Sequence, residues 1–207
     1  MPAKLFFELN PDKRNRIVAA GIEEFSNYGY EGSSTNRIVR TCEISKGSLF
    51  KYFANKEDFY FYILDNVSAE LIGDLEKKTC ALSPDLFQRV LEYAALEFQW
   101  YMENPLKAKL IIRAFAKDDT EIYRKTIQRY GAKEMTIFNR LTESADTHDF
   151  RWDKEKTIAV LRWVLKGFNA DFLENISDKN RSFAQLHDEY VQGFTLYLEM
   201  LKKGLTK

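Results

Sequence analysis

Apolar side chains recur at three- and four-residue intervals from Asn10 almost to the end of the chain, and little interrupts them, since 207 residues contain only nine Gly and four Pro. That period specifies helices that each bury one stripe, and no stretch gives a convincing strand pattern. The expected fold is all-α. Asn10, Pro11 and Asp12 form a helix start, followed by Ile17, Val18, Gly21, Ile22 and Phe25 on one face, with Tyr28-Gly29 as its end. Ser33 or Ser34 caps a short second helix with Ile38 and Val39, and Ser45 caps a third reaching about Tyr52. Asn55 with Asp58 opens a long helix carrying Phe59, Ile63, Leu64, Val67, Leu71 and Leu75.

Five more helices follow: from Ser83-Pro84-Asp85 to Tyr101, from Pro105 to Phe115, from Asp118 or Asp119 to about Ser144, then about 154–176 and 182–203. The total is about nine. No Gly/Ser linker separates parts of the chain, so a boundary near residue 53 is expected as a continuous helical junction. It divides an N-terminal three-helix head, residues 1–53, from a larger helical domain, residues 54–207.

Thirty-one Lys and Arg balance thirty-one Asp and Glu, so an affinity for polyanions has to come from local clustering. One cluster exists. Residues 34–53 have the layout of a helix-turn-helix, and between Asn36 and Lys56 there are five basic residues (Arg37, Arg40, Lys46, Lys51, Lys56) against one acid, Glu43. Ile44, Leu49 and Phe53 fall on the inward side, which leaves Lys46, Gly47, Ser48, Phe50 and Lys51 outside. A helix that is small at its tip and cationic along its flank suits a DNA groove. Gly47 permits close backbone approach, the hydroxyls of Ser48 and Tyr52 can donate to phosphate, Lys46 can reach guanine, and Phe50 can pack on a thymine methyl. The other reading of the same lysines is a solvated face on a small helical subdomain.

Residues 10–64 resemble the DNA-binding domain of the TetR family of transcriptional regulators. The resemblance is carried by Gly29-Tyr30, Ser34-Thr35, Arg37-Ile38 and the run from Ile44 to Phe53 with Lys56-Glu57. It implies that Thr35, Tyr52 and Lys56 contact phosphate, and that Asn36, Lys46, Ser48, Phe50 and Lys51 face bases or the groove wall. Ser34 and Gly47 complete the expected DNA-binding set. Two departures stand out: Glu43 replaces the usual Gly of the interhelical turn, and Phe50 replaces the usual Tyr.

The resemblance further implies a homodimer joined through the last two helices, a near-palindromic double-stranded DNA operator, and a repressor released by a small-molecule effector. Rings on helices five to eight, namely Phe98, Tyr101, Phe115, Tyr123, Tyr130, Phe138, Trp163 and Phe168, are candidates to line an effector cavity, with Arg113 orienting a polar end of an apolar or aromatic ligand. Plain core packing explains the same rings. A helical carrier or adaptor whose head no longer binds DNA is the alternative function.

Nothing in the sequence calls for catalysis or a cofactor. His148 and His187 stand far apart, and no P-loop, GxSxG or GxGxxG string occurs. Asp146, His148 and Asp149 fit a polar loop better than a metal site, and Cys42 reads as a packed thiol. The longest stretch without Asp, Glu, Lys or Arg is nine residues, Tyr190 to Leu198, so no membrane span and no signal segment is expected and the reading is cytoplasmic.

Overall fold

A computed structural model describes residues 2–79, 82–116, 119–143, 148–175 and 182–206. Among them it forms ten helices: α1 (Lys4–Phe7), α2 (Pro11–Gly32), α3 (Thr35–Thr41), α4 (Lys46–Tyr52), α5 (Lys56–Thr79), α6 (Leu86–Glu103), α7 (Pro105–Phe115), α8 (Glu121–Glu143), α9 (Lys154–Asn175) and α10 (Phe183–Leu205). Nine correspond to the expected helices. The tenth, α1, is a single turn, too short to show a period.

The caps follow the side chains that start each helix. The Asn10 side chain accepts from the Asp12 amide at 2.8 Å with Pro11 as the first helical residue, and Asn55 accepts from Asp58 at 2.8 Å. Ser182 and Gln185 form a reciprocal capping box on α10. α6 starts three residues later than Ser83, because Asp85 is its cap and accepts from the Gln88 amide at 2.9 Å. Likewise Thr120 accepts from the Tyr123 amide at the start of α8, while the alternative start at Asp118 lies outside the described residues. Gly29 does not end α2 but bends it: its φ of 66° is left-handed, and one more turn follows to Gly32.

The chain forms two compact units. Residues 1–72 with 104–127 make the first, and residues 73–103 with 128–207 the second. The expected boundary near residue 53 falls inside the first unit, and no helix runs through it: α4 stops at Tyr52, Phe53 is extended, and α5 begins at Lys56. Phe53 explains this placement. It is 1% exposed and packs against Phe59 at 4.6 Å and Phe6 at 4.9 Å between ring centres. Each such ring pair contributes roughly 0.5–1.5 kcal/mol beyond its burial. Thus α1 carries Phe6 into the core of the head, and the Ala3 amide donates to the Tyr52 carbonyl at 2.8 Å. α2 also packs on α7, where the Ser26 hydroxyl donates to the Leu106 carbonyl.

In the second unit α10 packs on α6 and α9. Phe98 of α6 stacks on Tyr190 of α10 at 4.3 Å with the rings 9° from parallel, and Phe168, Phe172 and Phe194 surround that pair. A polar chain runs through the same place. Tyr190 donates to Asn169 Oδ1, Asn169 donates to Glu97 at 2.8 Å, and Tyr101 donates to the other Glu97 oxygen at 3.1 Å. Burial satisfied in this way fixes one arrangement of the three helices.

α2 and α5 approach closely at Gly21. A Cβ there would lie 2.6 Å from Phe59 Cζ and 2.9 Å from Ile63 Cγ1. Replacing Gly21 by Ala is expected to destabilise the fold by about 1–3 kcal/mol through overpacking, read as a lower midpoint in thermal denaturation. An unchanged midpoint would show that the two helices are not in contact at this position.

Candidate nucleic-acid interface

The head is organised around a buried carboxylate. Glu24 sits on the apolar face of α2 and is 6% exposed. It accepts from the Ser34 amide at 2.7 Å and from the Arg37 guanidinium at 2.5 to 3.1 Å. Arg37 also donates to the Gly32 carbonyl at 2.8 Å and lies 4.1 Å from the centre of the Tyr28 ring. The last turn of α2 and the first of α3 are therefore tied by charge-assisted bonds at one point. The Glu24 hydrogen bond holds the Arg37 pKa above its ordinary value. Neither residue was expected in this role. The available sign was an acid one residue before Phe25, on the stripe that carries Gly21, with an arginine thirteen residues on.

Ser34 caps α3 by accepting from the Arg37 amide at 3.4 Å, while the Ser33 hydroxyl turns back to the Tyr30 carbonyl at 2.6 Å. The α3–α4 turn contains Cys42, buried and with its thiol pushed up by desolvation, and Glu43 at φ 55°. Glu43 thus adopts the left-handed backbone for which glycine is suited. Its carboxylate lies 3.5 Å from Arg16, with both side chains largely exposed. Beyond the turn, Ser45 caps α4 by accepting from the Ser48 amide at 3.1 Å, and the two hydroxyls are 2.8 Å apart.

α4 presents Lys46, Gly47, Phe50 and Lys51 to solvent, with Ser48 half-buried and Phe50 39% exposed. On α3, Asn36 is exposed, and Thr35 and Ser34 are half-buried. Lys46, Lys51 and Arg40 make no ion pair among the described residues, so their charge is available to an external anion. Two expected contacts are placed differently. Tyr52 is 6% exposed, with its ring 5.9 Å from that of Phe6, because α1 covers it. Lys56 is half-buried and donates to the carbonyls of Tyr30 at 2.7 Å and Ser33 at 3.3 Å, above the Tyr30 ring. Its ammonium closes the end of α2 and is not held out for phosphate.

The expected effector-lining rings do not form one set. Phe98 and Phe168 belong to the packed cluster of the second unit, where Tyr101, Tyr130 and Phe138 are also buried. Burial beside Glu97 raises the Tyr101 pKa well above its ordinary value. Trp163 is 65% exposed on α9, so it lines no enclosed space. Phe115 is half-buried in the first unit. Tyr123 and Arg113 do line a cavity, of about 350 Å³, within the first unit. His148 is exposed and 3.5 Å from Asp149, while Asp146 lies outside the described residues. No cluster of metal-ligating side chains occurs among the described residues.

Residues 17–63 match the family model described as bacterial regulatory proteins, tetR family. Over 60 residues the chain is 33% identical to the HTH-type transcriptional regulator HbdR of Aromatoleum sp., a match covering 29% of this chain and 26% of that protein. Over 124 residues it is 26% identical to the uncharacterized HTH-type transcriptional regulator YhgD of Bacillus subtilis, covering 57% and 61%. The matched part thus spans between about a quarter and three fifths of these curated relatives. The fold agrees with the crystal structure of a TetR family transcriptional regulator from Chloroflexus aurantiacus, with a TM-score of 0.77 at 24% identity over 100% of this chain and 99% of that one. Head and fold together define an all-α protein that presents a helix-turn-helix. Residues 17–63 thus carry the helix-turn-helix domain of the tetR family, and the whole chain has the fold of these regulators.

Two substitutions test the geometry of the head. Removing the carboxylate in Glu24→Ala strands the Ser34 amide and is expected to cost about 1–3 kcal/mol in chemical denaturation. Glu43→Gly relieves the left-handed strain and is expected to raise stability by about 1 kcal/mol, or roughly 2–4 °C in melting temperature. A lowered melting temperature for Glu43→Gly would contradict the turn described here.

Proposed function

We propose that the protein is a homodimeric transcriptional regulator, acting in the cytoplasm, that reads a near-palindromic DNA operator with α4 and is a repressor released by a small apolar or aromatic effector. The observation that carries the reading is the exposed, capped face of α4 with Lys46 and Lys51 unpaired. Phosphates of the duplex are the polyanion that such a face suits, with Ser34, Thr35 and Asn36 of the preceding helix alongside. Tyr52 and Lys56 act as supports, through the buried ring and the carbonyl bonds described above. The departures at Glu43 and Phe50 are what would favour the adaptor alternative. Glu43 accommodates the turn, and α4 keeps its cap and its outward face.

A two-fold protein matches two half-sites about 34–36 Å apart, and an apolar surface is available to join two copies. Within the second unit, α9 exposes Trp163 at 65%, and α10 exposes Leu196 at 63%, Tyr197 at 52% and Met200 at 69%. Large apolar side chains this exposed, on two packed helices, are the signature of an association surface. A four-helix contact made by α9 and α10 of both copies would cover them.

Binding to the DNA upstream of the protein's own gene, followed by fluorescence anisotropy across a salt series, is expected to show log K falling with log salt. Lys51→Ala should flatten that slope by about 0.9 per half-site, whereas Lys46→Ala should cost about 1–3 kcal/mol at one base pair. Unchanged binding in both variants would remove α4 from the DNA. Sedimentation should give a dimer for the natural chain and a 24.3 kDa species for Leu196→Glu with Met200→Glu. A monomeric natural chain would contradict the dimer.

A further inference from the structure

The cavity of about 350 Å³ in the first unit is bounded by the bend of α2, by α5, by α7 and by the start of α8. Four tyrosines line it, Tyr28, Tyr30, Tyr60 and Tyr123, together with two charged side chains, Arg113 and Glu31. Gly29 shapes one wall. Its left-handed φ of 66° turns the chain between Tyr28 and Tyr30, and a Cβ added there would lie 3.6 Å from Arg113 Nη1. Neither Arg113 nor Glu31 makes an ion pair or a side-chain hydrogen bond among the described residues, although a guanidinium and a carboxylate line the same cavity. Burial pushes the Tyr60 hydroxyl up to about 12 against its hydrogen bond with Thr126, and raises Tyr30 as well.

Size and charge decide what such a cavity takes. At about 350 Å³ it stands near the lower end of small-molecule sites, roughly 300–1,000 Å³, which disfavours a long acyl chain. One guanidinium opposed by one carboxylate suits a single negative charge and not a polyphosphate. Tyrosine faces offer stacking to a flat ring. We propose that this cavity binds a small hydroxyaryl carboxylate, its carboxylate on Arg113, its ring among the tyrosines and its hydroxyl donating to Glu31.

The same rings reach the helix-turn-helix. Tyr28 carries the Arg37 guanidinium at 4.1 Å, and Tyr30 carries the Lys56 ammonium at 4.3 Å and lies 5.1 Å from Tyr60. Arg37 is bound to Glu24 at the start of α3, and Lys56 holds the end of α2. A ring stacked on either tyrosine therefore acts on the residues that position α3 and α4. This consequence rests on the proposed DNA-binding reading, whereas the site itself does not. Linkage makes it reciprocal, so the ligand weakens DNA binding by the factor by which DNA weakens the ligand.

Isothermal titration calorimetry of the full chain with 4-hydroxycinnamate and with 4-hydroxyphenylacetate tests the site. At least one acid is expected to bind one per chain, and 4-hydroxycinnamyl alcohol, which lacks the carboxylate, at least tenfold more weakly. Arg113→Ala should weaken the acid by roughly tenfold or more, and Ala116→Trp, at an exposed lining position, should abolish binding, both with cooperative melting like that of the natural chain. No heat from either acid up to about 1 mM, or binding indifferent to both substitutions, overturns the proposal. Anisotropy with the upstream DNA, run in parallel, separates the two readings. DNA binding without acid binding removes the site alone, and acid binding without DNA binding removes the regulatory reading alone.

Discussion

The head of this protein depends on one buried carboxylate. Glu24 is almost wholly removed from water, and its charge is tolerated because the Ser34 amide and the Arg37 guanidinium both donate to it. Those two partners fix where α3 begins. α3 in turn fixes α4 through a turn that forces Glu43 into a left-handed backbone, and Ser45 and α1 then secure the two ends of α4. The exposed face of α4 is thereby held largely by interactions made away from it.

This bracing also changes the electrostatics read from composition. Five basic residues between Asn36 and Lys56 suggest a uniformly cationic patch. In the folded head Arg37 is paired with Glu24 and the Lys56 ammonium is tied down on two backbone carbonyls, while Arg16 stands near Glu43. The charge left for an external anion is concentrated on Arg40, Lys46 and Lys51, which is a narrower and more directional feature than the count implies.

Much of this was legible in the sequence for physical reasons that can be named. Asn10, Ser34, Ser45 and Asn55 each cap a helix because a short acceptor side chain satisfies amides that no helix can satisfy itself. The outward set of α4 followed from spacing alone. Tertiary partners were not legible: nothing local says that Phe6, on one turn of helix, covers Tyr52 and Phe53, or that Lys56 spans twenty-six residues to the Tyr30 carbonyl. The aromatic residues of the larger part failed for the same reason. Helical period places a ring on a face, but whether that face meets a neighbour, as for Phe98, or solvent, as for Trp163, is decided by packing.

The central claim is that the capped, outward face of α4 is where a duplex is held. Hydrogen–deuterium exchange of the full chain with and without the upstream DNA tests it most directly, because it reports position as well as binding. The account predicts that added protection concentrates in residues 34–36 and 45–52. Tight DNA binding that leaves those residues unprotected and slows exchange elsewhere would contradict it.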